Sequence, residues 1–303
     1  MALMRFLVIG FVAAVLVACG DDDSSFATRP SDGSSSSVTP QNVTLSEVEG
    51  SSDSETSVSS EKQGDGESSS AMTSSSSAES SSSSSVPEGY VDPSTVVTGT
   101  MTDERDGQTY KTVTIGTQTW MADNLNYAYL QPTADYDSST FCYENSVSYC
   151  EEYGRLYTWA AAMDSAGTWD SNSKGCGWGK NCRPQYPVRG VCPEGWHLPD
   201  STEWATLFLA VGYSTAGKTL RSISDWNGGG NGSDDYSFTA LPAGFRGLVG
   251  VFESEGAGAY FCSSSEYNQD YSYHICLNRN SDYAGRDNLP KSYAISVRCV
   301  KDN

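Results

Sequence analysis

The stretch CPEGWHLPDSTEW, residues 192–204, gathers a cysteine, one of the chain's two histidines, two tryptophans and several acids. Such a set could ligate a metal or move a proton. The spacing assigns most of it to structure instead. Asp200 followed by Glu203 three residues later is a capping-box pattern, with Pro199 just ahead of the cap. Trp204, Leu207, Phe208 and Val211 then fall at i, i+3, i+4 and i+7, and Gly212 can close the helix. Pro193-Glu194-Gly195 reads as a tight turn. His197, in a strand-like Trp-His-Leu triplet with no second histidine near it, reads as a hydrogen-bonded structural residue.

Two other stretches could bind. Asp225, Asn227, Asn231, Asp234 and Asp235 bring hard oxygen donors into one glycine-rich loop, the chemistry that suits Ca²⁺. The loop does not follow the EF-hand pattern, since Gly229 takes the third ligand position and Tyr236 the twelfth. Trp226 and Asn227 of the same loop, with Tyr260, Tyr267, Tyr271, Tyr273 and His274 further on, offer rigid amphipathic surface for a sugar or a protein. Alternation along a half-buried hairpin would give those tyrosines a structural role instead. No nucleophile elbow, zinc-binding helix or phosphate loop occurs, and the chain is expected to have no enzymatic activity.

These residues need a scaffold. Thr109–Ile115 alternates, Gly116-Thr117 suits a tight hairpin, and Gln118–Ala122 returns. Gly154–Met163 shows helical spacing through Leu156, Trp159, Ala160 and Met163. Ser237–Phe245, Gly258–Ser263, Tyr271–Leu277 and Tyr293–Val300 read as strands, the last with Tyr293, Ile295, Val297 and Cys299 on one face. Two short helices against small antiparallel sheets make an α+β domain.

Charge and composition divide the chain. Phe6–Val17 is apolar, follows a single Arg5, and is shorter than a membrane span, as in a secretory signal. It ends at Leu16-Val17-Ala18-Cys19, which resembles a bacterial lipobox; residues 1–18 are then the signal and Cys19 the lipidated residue. Residues 19–98 form a serine-rich acidic tether expected to be disordered, too poor in apolar residues to offset the entropy of ordering. Gly20-Asp21-Asp22-Asp23 after the lipid resembles a surface-export signal, so an outer-membrane, surface-exposed lipoprotein is expected. The net charge of −20 is shared by tether and domain alike, which removes the electrostatic term that nucleic-acid binding needs. Beyond Cys19 eight cysteines remain, an even number in an oxidising compartment, and their spacing does not suit zinc.

In order, DGQTYKTVTIGTQTWMADNLNY, GRLYTWAAAM, GVCPEGWHLPDSTEW, FTALPAGFR and SVRCVKD resemble the Fibrobacter succinogenes major paralogous domain, across residues 99–303. The resemblance implies a C-type lectin-like fold whose two ends meet, with a long irregular loop region. It also implies a disulfide from an early segment to the last strand, here Cys192 to Cys299, leaving Cys142 with Cys150, Cys176 with Cys182 and Cys262 with Cys276 as the simplest remaining pairs. The implied function is an envelope-anchored lipoprotein displaying a binding module, with a glycan or an envelope or extracellular protein as partner and no required cofactor. A purely structural envelope protein is the alternative. A second alternative follows from HLPDSTEW, which resembles a segment of formylglycine-generating enzymes; there Cys262 and Cys276 would be a redox pair.

Overall fold

A computed structural model describes residues 87–133 and 139–303. The expected signal, the lipid on Cys19 and nearly all of the tether lie outside these residues. Among them no helix is long and apolar enough to cross a membrane.

In chain order the strands begin with β1 (Val97–Thr102), β2 (Thr109–Ile115), β3 (Gln118–Met121) and β4 (Thr140–Phe141). Helix α1 (Val147–Tyr153), β5 (Leu156–Thr158), the single turn α2 (Trp159–Ala162), β6 (Trp196–His197), α3 (Ser201–Val211) and α4 (Ala216–Leu220) follow. The C-terminal part holds β7 (Ala243–Arg246), β8 (Phe252–Glu255), β9 (Gly258–Glu266), β10 (Tyr271–Asn278), β11 (Ala284–Pro290), β12 (Ala294–Ser296) and β13 (Val300–Lys301).

One sheet runs β1-β2-β3-β13-β6, so the first strands and the last share a sheet and the ends of the domain meet. The β2–β3 hairpin turns at Gly116, whose φ of +60° suits a tight two-residue turn. The second sheet runs β11-β10-β9-β12-β5-β4, with β7 and β8 branching from β12. It is larger than expected, and one contact, Ser296 beside Phe261, is parallel. The fold is α+β.

The C-terminal run crosses between the sheets. Its alternation holds, since Ile295, Val297 and Cys299 all enter one core. It is two short strands rather than one, because β12 pairs in the second sheet and β13 in the first. The β9–β10 pair separates the two cores. Tyr260, Cys262 and Cys276 face one, with Trp159, Val191 and Ile295. Phe261, Ile275 and Leu277 face the other, with Trp120, Trp204, Phe208 and Phe238. There the Trp120 and Trp204 rings lie 4.5 Å apart and Trp204 stacks on Phe261 at 5.6 Å.

Helix α3 forms as its caps require. Asp200 accepts from the Thr202 and Glu203 amides at 2.7 and 2.9 Å, and Glu203 accepts from the Asp200 amide at 2.9 Å. Trp204, Leu207, Phe208 and Val211 are its buried face. Two expected elements differ. The Gly154–Met163 helix is instead β5 followed by α2, because residues 156–158 pair with both β4 and β12 and that pairing overrides a helical spacing. Thr158 then caps the turn, accepting from the Ala161 amide at 3.3 Å. Of Ser237–Phe245 only Ala243–Phe245 is strand; Ser237 and Thr239 have φ of +54° and +52°, outside the extended region.

Several charges are buried as struts. Arg298 is fully buried and donates to Asn124 Oδ1 at 2.8 Å and to the Phe238 and Thr239 carbonyls, which holds the turn before β7. Burial lowers its pKa to about 10, still well above neutral. Arg105 grips the buried Asp103 at 2.6 Å and lies between the rings of Tyr127 and Trp169, 4.0 and 4.6 Å from their centroids.

Candidate functional site

The β9–β10 hairpin carries the tyrosines. Asn268 Oδ1 accepts from the Asp270 and Tyr271 amides, both at 2.9 Å, and fixes its turn. Tyr267 and Tyr271 are exposed, 52% and 38%, and Tyr273 is half-buried. Tyr273 meets Tyr267 edge-on at 5.4 Å and carries the Arg286 guanidinium 4.7 Å from its ring centre. Tyr260 and His274, expected beside them, belong to the core instead. Successive residues of a strand face opposite ways, so Tyr273 and His274 cannot share a surface. His274 is fully buried and stacks on Tyr260 at 6.0 Å; burial lowers its pKa to about 3.

The 225–235 loop divides similarly. Asn227 is exposed, but Trp226 is a core residue, donating through Nε1 to Ser222 Oγ at 3.0 Å and the Ala240 carbonyl at 3.2 Å. The oxygens expected to face a cation serve local turns. Asp234 accepts from the Thr239 amide and hydroxyl at 2.6 and 2.7 Å, and Asn231 from the Trp226 amide at 3.1 Å. Asp225 and Asp235 accept from Ser224 and Ser233. Among the described residues no three His, Cys, Asp or Glu side chains gather in one place.

His197 is held at both nitrogens. Nε2 lies 2.6 Å from Glu203 and Nδ1 lies 2.7 Å from Asp302, so the histidine fastens the start of α3 to the chain terminus. Burial opposes the imidazolium, but the two carboxylates outweigh it and the pKa is raised. The proton is therefore bound more tightly in the folded state, and this stabilisation is complete below the unfolded value of about 6.5 and lost as pH climbs through the folded one. His274 acts with the opposite sign: its neutral form is the folded one, so stability falls as pH drops below about 6.5 towards its folded value. Urea midpoints should peak near neutrality and decline on both sides. His197→Gln should flatten the alkaline decline and spare the acid one. An alkaline decline unchanged in that variant would exclude His197 as its source.

A further feature lies in a stretch for which the sequence offered a cysteine pair but no binding residue. Between α2 and β6 the chain runs as a long loop that holds one short turn, Ser171–Ser173, and an isolated bridge from Val188 to Leu198. Asp170, Ser171, Asn172, Arg183, Gln185, Tyr186 and Pro187 line a polar groove of about 570 Å³ in it. The loop is braced from within and without. Buried Asp164 accepts from the Thr168 and Trp169 amides at 3.0 and 2.8 Å. Asn172 exchanges two hydrogen bonds with the Gln185 backbone, 2.6 and 2.7 Å. Glu266 accepts from the Cys182 amide at 2.9 Å and from the buried Lys291 Nζ at 2.5 Å, which joins the groove loop to the tyrosine hairpin. The sequence signal was the length of a loop without strands or helices, closed by a short cysteine pair.

Residues 113–301 match the Fibrobacter succinogenes major domain family. The chain belongs to that family. No curated protein and no solved structure matches it. In this Fibrobacter major domain three disulfides cross-link the fold among the described residues, Cys142–Cys150, Cys176–Cys182 and Cys192–Cys299, as suits a domain that works outside the cytoplasm. The fourth expected pair does not form, and Cys262 is a free, buried thiol. The register sets His274 opposite Cys262 and Tyr260 opposite Cys276. That leaves the two cysteines diagonal, at a spacing of about 7–8 Å, wider than a disulfide tolerates. Burial pushes the Cys262 thiol far up, whereas a reactive cysteine needs the opposite shift. Iodoacetamide should therefore label Cys262 only after unfolding. Rapid labelling of the native domain would show an accessible thiolate instead.

Proposed function

We propose that this Fibrobacter major domain is a lectin-like binding module, anchored to the cell envelope through a lipid on Cys19 and presented on the serine-rich tether. The partner is a glycan or an envelope or extracellular protein, and the reading assigns the domain no catalytic step. The observation that carries it is the rigid aromatic surface of the β9–β10 hairpin. Tyr267, in the turn, and Tyr271, at the start of β10, stay exposed at the end of a strand pair that is buried on both faces further along. Exposed tyrosines on a fixed backbone give contact area at little entropic cost on binding. The acidic net charge of −20 favours a neutral or cationic partner over a polyanion.

Glycan arrays and insoluble-polysaccharide pull-downs with a soluble Cys19→Ser chain test this, alongside crosslinking of the native chain in cells. Retention that weakens on replacing Tyr267 and Tyr271 by alanine supports the module. Crosslinks only to further copies of the chain, with no glycan or other protein retained, would favour a structural envelope protein.

A further inference from the structure

We infer that the groove between Asp170 and Pro187 is a saccharide subsite for a neutral sugar ring, a proposal that rests on the binding-module reading. Arg183 is exposed and makes no hydrogen bond or ion pair among the described residues, so its guanidinium donors are free for a ligand. Across the lining stands the Asp170 carboxylate. Its Oδ1 accepts from the Asn172 amide at 2.9 Å, which holds the group while the other oxygen can accept further. Tyr186 is half exposed, and its hydroxyl donates to the Ser264 carbonyl at 3.4 Å, tethering a ring whose face remains available.

A free donor, a held acceptor and an aromatic face fit a sugar. Each hydroxyl both donates and accepts, so neighbouring hydroxyls can satisfy a guanidinium and a carboxylate together, while the C–H face of the ring rests on tyrosine. The two lining charges cancel, and the acidic net charge of the chain works against an anionic sugar. The bracing matters for affinity. The Cys176–Cys182 bridge, the Asn172–Gln185 exchange and the Glu266 contact order the loop before any ligand arrives, so binding costs little further entropy.

Calorimetric titration of the full Cys19→Ser chain with cellohexaose, xylohexaose, maltohexaose and, as an anion, trigalacturonate tests the proposal. At least one neutral oligosaccharide should bind saturably. Arg183→Ala should weaken it about tenfold, the loss of a charge-assisted hydrogen bond. Tyr186→Ala should weaken it several-fold, with melting temperature and near-ultraviolet circular dichroism unchanged for both variants. If a neutral sugar binds and only Tyr267→Ala or Tyr271→Ala weakens it, the groove assignment is overturned and the binding module stands. Binding confined to trigalacturonate overturns the ligand class. Failure of all four sugars overturns the subsite, and the module reading then depends on a protein partner in the crosslinking experiment.

Discussion

Replacing Cys192 and Cys299 together by alanine should destabilise the domain by about 5 kcal/mol in the chain-entropy model, lowering its melting temperature by roughly 10–20 °C. The bridge spans a sequence separation of 107 residues, so its loss returns a long loop to the unfolded ensemble. It also lies fully inside the core, joining the turn before β6 to the approach to β13. There the Cys299 carbonyl accepts from the Met121 amide at 3.0 Å. The Cys142–Cys150 bridge has a separation of 8 and should cost only about half as much. Differential scanning calorimetry of the two double variants checks the order. Equal losses would mean that strain or local packing, rather than loop closure, sets the contribution of each bridge.

Glu266→Gln should cost about 3 kcal/mol, despite being nearly isosteric, because it strands a buried ammonium. Lys291 is fully buried, with Glu266 at 2.5 Å as its anionic partner and the Lys180, Gln269 and Gly177 carbonyls at 2.8, 3.1 and 3.4 Å among its other acceptors. Its Nζ also sits 4.5 Å from the centre of the Trp159 ring. An amide would keep those shapes and lose the charge. The same substitution alters the acceptor for the Cys182 amide, so the groove loop should loosen before the domain unfolds. Hydrogen exchange read across residues 176–187 should quicken more than exchange in β9. A variant as stable as the parent would show that the carbonyls alone satisfy the ammonium.

The legible parts of the fold are those with local codes. The cap at Asp200, the buried face of α3 and the Gly116 hairpin needed only neighbours in sequence. The spacing of Leu156, Trp159, Ala160 and Met163 could not be read locally, since the same apolar residues suit a strand and a turn once β4 and β12 flank them. Strand β11, AGRDNLP, was invisible for a related reason: glycine, aspartate and asparagine are poor strand formers, and it exists because β10 offers an edge along seven residues. At the candidate site the types were readable and the faces only in part. Tyr267, Tyr271 and Tyr273 fit an exposed hairpin, while strand alternation turns Tyr260 and His274 inside. The groove had no motif, because its residues come from two segments brought together by backbone contacts and a disulfide.

Both the tyrosine hairpin and the groove depend on the domain being oxidised and cross-linked where it works. The most direct measurement is disulfide mapping by mass spectrometry on chain isolated from its own cells, with thiols blocked at lysis. The expected result is Cys192 joined to Cys299, Cys176 to Cys182 and Cys142 to Cys150, with Cys262 alkylated only after unfolding. Recovery of Cys192 and Cys299 as free thiols from a domain that is nonetheless folded would contradict it.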